Sequence, residues 1–449
     1  MTEFQSLGLS DQLLKAIEAN GYDTPTPIQK DAIPLILKGE DLMGLAQTGT
    51  GKTAAFGLPL VERLLAHPGR AEPKGAQALI LAPTRELVNQ IAKNLVSFVR
   101  GTPLRVTSVV GGVSINSQIK RMSRGTDILV ATPGRLLDLV DRNAVTLRNV
   151  SFLVLDEADQ MLDLGFIHAL RKIASLVSKK RQTLLFSATM PKQINELAQS
   201  YLTDPVRVEV APAGKTADKI DQSVHFMDQK AKTDFLVSTL CERPDDMSLV
   251  FCRTKHGAER LMRKMVSSGI QAGSIHGNKS QSQRERAIKG LREGQIKVLV
   301  ATDVAARGID IPGVSHVYNF ELPEVPEAYV HRIGRTARAG ADGEAVALCS
   351  PEEIGLFRQI EKLIGISIDV ASGDVPPASA AVSPGKGRGG NRGRQNNGRQ
   401  NNGRQNNGGQ GRGNQARGEK SRSGDNDNAA SKARRQRSRR PARRRTEAA

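Results

Sequence analysis

Short apolar runs, each closing on a polar residue or proline, recur along the first two hundred residues: DLMGL at 41–45, ALILAP at 78–83, DILVATP at 127–133, FLVLDEA at 152–158 and TLLFSAT at 183–189. Continuous apolar runs of this length, without alternation, predict strands buried on both faces. The longer helix-compatible stretches between them predict a parallel sheet covered by helices on both sides. The pattern breaks at VAPAGKTADKI (210–220), small and polar enough to read as a linker. It then restarts with SLVFCRT (248–254), AGSIHG (272–277), KVLVATD (297–303), HVYNF (316–320) and EAVALCS (344–350), followed by the helix-like PEEIGLFRQIEKLIG (351–365). The expected organisation is α/β: one domain over 1–207, a linker at 208–217 and a second, similar domain over 218–370.

From 371 to 449 the apolar runs stop. A unit Gly-Arg-Gln-Asn-Asn occurs three times within NRGRQNNGRQNNGRQNNGGQGRG, the chain ends in arginine-dense sequence, and Phe357 is the last aromatic residue. Such a segment cannot bury enough apolar surface to offset its ordering entropy, so a disordered basic tail is expected. It holds most of the charge: residues 385–449 carry nineteen Lys and Arg against four Asp and Glu, a net +15 of the chain's +19. A polyanionic partner is implied, nucleic acid or an acidic membrane surface. The alternative for the tail is a solubilising or partner-docking extension.

Three scattered cysteines without a C-x-x-C pair, and seven histidines without ligand spacing, argue against a disulfide framework and a zinc site. The first residues lack a basic stretch leading into an apolar core, and no apolar window is long enough to span a membrane, so a cytoplasmic protein is expected.

Two clusters carry chemistry. AQTGTGKT, Ala46, Gln47, Thr48, Gly49, Thr50, Gly51, Lys52 and Thr53, lies between a strand and a helix-compatible run. This is the setting of a phosphate-binding loop, although Ala46 stands where the simplest pattern has Gly. Its backbone amides can converge on phosphates, Lys52 can reach the β and γ phosphates, and the Thr53 hydroxyl can ligand Mg²⁺. The acidic LDEAD at 155–159 ends a second strand; taken alone it can be a solvated loop. Beside a nucleotide loop it supplies a metal-holding carboxylate, Asp156, and a water-orienting base, Glu157. ATP and Mg²⁺ are the expected ligands.

Asp156-Glu157-Ala158-Asp159 and its surroundings resemble the DEAD-box RNA helicases, and the resemblance runs over residues 4–368. GYDTPTPIQ (21–29) resembles that family's Q motif. PTREL (83–87), Gly111-Gly112 and TPGR (132–135) resemble its first-domain RNA contacts. SAT (187–189), VFCRT (250–254), ATDVAARGID (301–310) and HRIGRTARAG (331–340) follow in the family's order. Wording and tail are most similar to the bacterial RNA helicase E (RhlE) group.

The resemblance implies two RecA-like domains that close over ATP and RNA. It implies adenine recognition by Gln29, whose carboxamide matches the N6 donor and N7 acceptor, with Tyr22 stacking and Phe4 as the upstream aromatic. Arg335 and Arg338 become arginine fingers and Asp310 an ATP contact; the bland reading of the Arg332, Arg335 and Arg338 stripe is a solvated face. RNA contacts are implied at Pro83, Thr84, Arg85, Gly111, Gly112, Thr132, Pro133, Gly134, Arg135, Arg253, Thr302 and Asp303. These groups suit phosphate and sugar better than base edges, hence sequence-independent binding to single strands and short duplexes, though such loops can also be plain turns. Ser187 and Thr189 would couple to Asp159 and His331, or SAT would simply cap the next helix. The expected activity is RNA-stimulated ATP hydrolysis coupled to local unwinding or to remodelling of assemblies such as ribosomal precursors or decay complexes. The alternatives are an ATP-gated RNA clamp or scaffold that does not unwind, and a DNA-directed or other P-loop ATPase.

Overall fold

The structure is a computed structural model that describes residues 3–46, 49–66, 69, 71–210, 220–309, 311, 313–337 and 342–375. The expected tail from 376 onward, most of the expected linker, and Gln47, Thr48, Asp310 and Arg338 lie outside the described residues.

The described residues form two seven-stranded sheets, each parallel at every pairing. The first contains β1 (Leu42–Leu45), β2 (Ala76–Leu81), β3 (Val106–Val109), β4 (Thr126–Ala131), β5 (Phe152–Leu155), β6 (Gln182–Ser187) and β7 (Val206–Glu209). Their order is β3-β4-β2-β5-β6-β1-β7. The second contains β8 (Ile220–Phe226), β9 (Ser248–Cys252), β10 (Ala272–Ile275), β11 (Val298–Thr302), β12 (His316–Asn319), β13 (Gly343–Cys349) and β14 (Asp369–Ser372). Their order is β10-β11-β9-β12-β13-β8-β14, the same permutation as in the first sheet. Strand order reverses at the same place in each, and in open α/β sheets ligands bind outside the carboxyl ends of strands at such switch points.

The ten apolar runs all become strands, and four strands went unread: β3, β7, β8 and β14. Three of these, β3, β7 and β14, are sheet edges. The expected limits also shift, because β7 runs through 208–209 and β14 through 371–372. Each sheet is packed on both faces. On one face of the first, Ile80, Val130, Val154 and Phe186 meet Phe56 and Leu95; on the other, Leu79, Leu129, Leu153 and Leu185 meet Leu136, Ile173 and Leu197.

The second domain has a charged anchor. The helix Lys232–Glu242 opens with Lys232, fully buried, whose ammonium donates to Leu348 O (2.7 Å), to Phe320 O (3.2 Å) and to Glu353. Glu353 also accepts from Leu322 N, Ser350 N and Arg253. Removing one member of a buried, fully bonded ion pair strands the other charge. Glu353→Ala is therefore expected to destabilise the fold by about 3–5 kcal/mol. The double replacement Lys232→Met with Glu353→Leu is expected to lose much less. Chemical denaturation checks both; equal losses would show that charge compensation is not what the pair contributes.

Candidate nucleotide and RNA site

The loop before the helix Lys52–Ala66 turns through two left-handed glycines, Gly49 (φ 87°) and Gly51 (φ 90°). A Cβ on Gly51 would lie 2.4 Å from Gln29 Nε2, so the position excludes other residues on two counts. Lys52 is buried at the helix start and donates to Ala46 O at 3.0 Å. The loop amides, helix N-terminus and ammonium together make an anion-binding cradle.

Asp156 and Glu157 follow β5 and are both buried. Asp156 N is tied to Leu81 O (2.9 Å), and its Oδ1 accepts from Glu157 N (3.0 Å). Burial raises the Asp156 pKa, opposed by the Lys52 charge. Glu157 adopts the left-handed conformation (φ 53°, ψ 53°), strained for a residue with a side chain, and neither carboxylate oxygen has a partner. Its pKa is pushed up to about 7, chiefly by burial, with Lys52 opposing and Asp156 adding to the rise. A strained, unsatisfied buried carboxylate is costly, and functional sites are where such costs collect.

A cavity of about 170 Å³ joins these groups. Gly49, Gly51, Lys52, Thr53, Asp156 and Glu157 line one end; Tyr22, Gln90 and Asn94 line it from the first domain, and Gly308, Ile309 and Arg335 from the second. Arg335 is nearly buried, donating from Nη1 to Ile309 O (2.9 Å) and from Nε to His331 O (3.2 Å). The neighbouring Arg332 does something else: it forks onto Asp303 (2.7 Å from Nη2), bonds Asn319 and Glu321 O, and lies 5.1 Å over the Phe251 ring. The stripe is therefore not a solvated face at these two positions, and the Asp303 carboxylate is occupied inside its own domain.

Two residues expected at the nucleotide do not line this cavity. Phe4 is fully buried among Leu13, Ile28 and Ile33 and does not line the cavity. Its 3-10 helix, Glu3–Leu7, packs the ring inward, because core burial outweighs a half-exposed site for a large apolar ring. Gln29, also buried, caps its helix by accepting from Thr26 N (3.0 Å) and donates to Gly51 O (3.1 Å), bracing the loop from behind.

The first-domain loops assigned to RNA do converge. Thr84 caps the helix Arg85–Phe98. The Arg85 guanidinium lies within 1.9 Å of where a Cβ on Gly112 would sit, and the left-handed φ of 74° at Gly112 itself favours glycine there. Arg135, from the helix Pro133–Asp141, donates to Val113 O at 3.1 Å in the same loop. In the second domain Arg253 is held by Glu353 (3.1 Å) and Glu321 (3.9 Å). Asp159 Oδ2 accepts from Ala188 N, Thr189 N and Thr189 Oγ1 at 3.0–3.1 Å, whereas the Ser187 hydroxyl turns to Thr189 O. Burial lowers the His331 pKa, with Asp159 opposing.

Sequence reading missed the seam between the domains. Glu86 pairs with Arg284 (3.1 Å), Asp163 with Arg307 (2.9 Å), and Gln281 bridges Arg85 and Glu86. The only signal was a polar stripe on the helix Arg85–Phe98, which ordinarily means a solvated face.

Two like α/β domains with one phosphate loop, an acidic pair and an arginine delivered from the second domain define a P-loop nucleoside triphosphatase of the helicase kind. Residues 26–197 match the DEAD/DEAH box helicase family and residues 231–340 the helicase conserved C-terminal domain. DEAD-box ATP-dependent RNA helicase CshA of Bacillus cereus is 44% identical over 362 residues, 81% of this chain and 68% of that protein. CshA of Geobacillus kaustophilus is likewise 44% identical, over 81% and 76%. Among solved structures, S. cerevisiae Dbp5 bound to RNA and ADP BeF3 superposes with a TM-score of 0.75 at 33% identity, covering 83% of this chain and 96% of that one. The chain belongs to the DEAD-box ATP-dependent RNA helicases. These relatives carry the name of a different branch and do not support the RNA helicase E grouping. Among the described residues no helix is long and apolar enough to cross a membrane.

Proposed function

We propose that the chain hydrolyses ATP in the cavity between its domains and uses the resulting opening and closing to separate short RNA duplexes or remodel RNA–protein assemblies, without reading sequence. One observation carries this reading: the unpaired, buried Glu157 carboxylate shares its cavity with Arg335, which comes from the other domain. The reacting centre is complete only while the two domains are together.

In this mechanism the Gly49–Thr53 loop and Lys52 seat the β and γ phosphates, displacing the Lys52 ammonium from Ala46 O. Glu157 orients the attacking water and accepts its proton. The Arg335 guanidinium faces the charge that develops on the γ-phosphoryl group, as arginine fingers do. The donor set fits a magnesium ion. Among the described residues no three acidic or imidazole groups converge, and Mg²⁺ takes only one or two carboxylates together with phosphate oxygens and water. Thr53 and Asp156 would hold it, and it would neutralise charge across the β and γ phosphates.

Arg85, Gly111-Gly112 and Arg135 form a phosphate-facing cluster, and the Glu86–Arg284 pair joins its helix to the second domain. RNA bound there favours closure and thereby hydrolysis. Opening a few base pairs costs roughly 5–10 kcal/mol at about 1.4 kcal/mol per stacking step, so short duplexes are the substrates. The net +15 of residues 385–449 adds salt-sensitive attraction to RNA. A cytoplasmic location suits this activity.

The test is steady-state ATP hydrolysis with and without single-stranded RNA or matched DNA, on the full chain and on a chain ending after Val375. RNA-specific stimulation is expected in both, with the shorter chain needing more RNA at low salt. Equal stimulation by DNA, or none by RNA, would overturn the reading.

A further inference from the structure

The seam between the domains is held from behind, on the second domain's side. Gln281 and Arg284, which meet Arg85 and Glu86, stand three residues apart and so share one face at the start of the helix Gln281–Arg292. Ser280 caps this helix in a capping box with Gln283. The chain reaches the cap from β10 through His276, Gly277, Asn278 and Lys279, a turn in which Lys279 N donates to His276 O (3.0 Å). Connections of this kind are ordinarily more mobile than the elements they join. Here the turn decides where the helix start lies.

One carboxylate holds the turn at both ends. Glu259, on the helix Lys255–Ser267, accepts at Oε2 from Ser274 Oγ (2.8 Å), His276 Nε2 (3.1 Å) and Lys279 Nζ (2.8 Å). Its Oε1 takes Arg263 Nη2 (3.3 Å) from the next turn of its own helix. His276 Nδ1 accepts from Asn278 N (3.3 Å), which leaves the ring hydrogen on Nε2, facing the carboxylate. Lys279, and after it His276 and Ser274, hold the Glu259 pKa down to about 2, with burial opposing. Ser274 and His276 are themselves buried, so this is a network rather than an isolated surface pair. From Lys279 to Gln281 the chain spans at most about 7 Å.

We infer that Glu259 is a positioning residue for domain closure: by fixing the turn His276–Lys279 it keeps Gln281 and Arg284 aimed at Arg85 and Glu86. The inference rests on the closure proposed above and concerns how that closure is prepared, with no part in the chemistry at Glu157. A face that is already ordered loses less freedom when the domains meet. Because Gln281 Oε1 accepts from Arg85 Nη1, the same pin steadies an arginine of the RNA-facing loop.

The experiment measures, on the full chain, the factor by which a non-hydrolysable ATP analogue with Mg²⁺ tightens binding of labelled single-stranded RNA. Attraction by the basic tail acts with and without nucleotide and cancels in this ratio. The variants are Glu259→Ala, Glu259→Gln, Gln281→Ala and the double replacement Glu259→Ala with Gln281→Ala. Loss of about one net hydrogen bond at the seam predicts a three- to tenfold fall in the ratio for each single alanine variant. Glu259→Gln, which keeps an accepting oxygen, should fall less. RNA binding without nucleotide should hold, and kcat at saturating RNA and ATP should stay within twofold. If Glu259 acts through Gln281, the double variant loses less than twofold beyond Gln281→Ala; a merely structural role would multiply the two losses. An unchanged ratio in either single alanine variant, or multiplied losses in the double, overturns the inference. Should Glu259→Ala fail to fold, Glu259→Gln takes its place in the same comparison. No tightening by the analogue in the unmodified chain would instead sink the proposed function itself.

Discussion

Replacing Glu157 with Gln is expected to lower RNA-stimulated ATP turnover by about 10²–10⁴-fold, the usual contribution of a positioned general base. Nucleotide affinity should hold, since the phosphate cradle of Gly49, Gly51 and Lys52 is untouched. The pH profile should carry the same signature. The Glu157 pKa, pushed up to about 7 by burial, makes the free enzyme's kcat/KM for ATP fall as pH drops below that value. Stability moves the opposite way. Between the ordinary glutamate value of 4.5 and about 7, the folded ligand-free state holds a proton that the unfolded chain has released. This group's contribution is thus full at lower pH and is lost as pH rises through 7. Glu157→Gln removes that loss, so above pH 7 the variant should melt later than the parent while turning over far less ATP. A variant that kept more than a tenth of the parent's turnover would remove Glu157 from the chemistry.

Arg335→Ala should cost more, about 10³–10⁵ in kcat, the range for loss of an arginine finger. Arg335 is held by Ile309 O and His331 O and lines the cavity with both carboxylates. Its guanidinium therefore needs little reorganisation when charge develops opposite it. Lysine is a poor substitute, because a compact ammonium cannot present the planar, bidentate fork of a guanidinium to the phosphate. Single-turnover hydrolysis with RNA present, beside a nucleotide-binding titration, separates the cases. Lost hydrolysis with retained binding is expected; full recovery by Arg335→Lys would mean that charge alone matters.

Strands buried on both faces write themselves as uninterrupted apolar runs, which is why ten of the fourteen were legible. The edge strands β3, β7 and β14 read VTSV, VRVE and DVAS, half polar because an edge has less core to meet. β8, IDQSVHF, mixes polar residues into a strand one place in from the edge. The phosphate loop and acidic pair were equally legible, because each needs particular residue types at fixed spacing. What hid was whatever depends on two distant segments meeting. Glu86 with Arg284, and Asp163 with Arg307, are ordinary surface residues until the second domain is in place. Phe4 shows the converse: an aromatic assigned to a ligand is claimed instead by the core.

The identical strand order of the two sheets sets Lys52 and Lys232 in matching places, each the first residue of the helix that follows its sheet's earliest strand. Both are buried cations at a helix start. Lys52 rests on one backbone carbonyl and can exchange it for a phosphate. Lys232 already holds two carbonyls and the Glu353 carboxylate, an anion supplied by the chain itself. The tandem is thus a lock with one keyhole: the second half repeats the first half's socket with its key cast in place, and is left free to lend its arginine to a neighbour's chemistry.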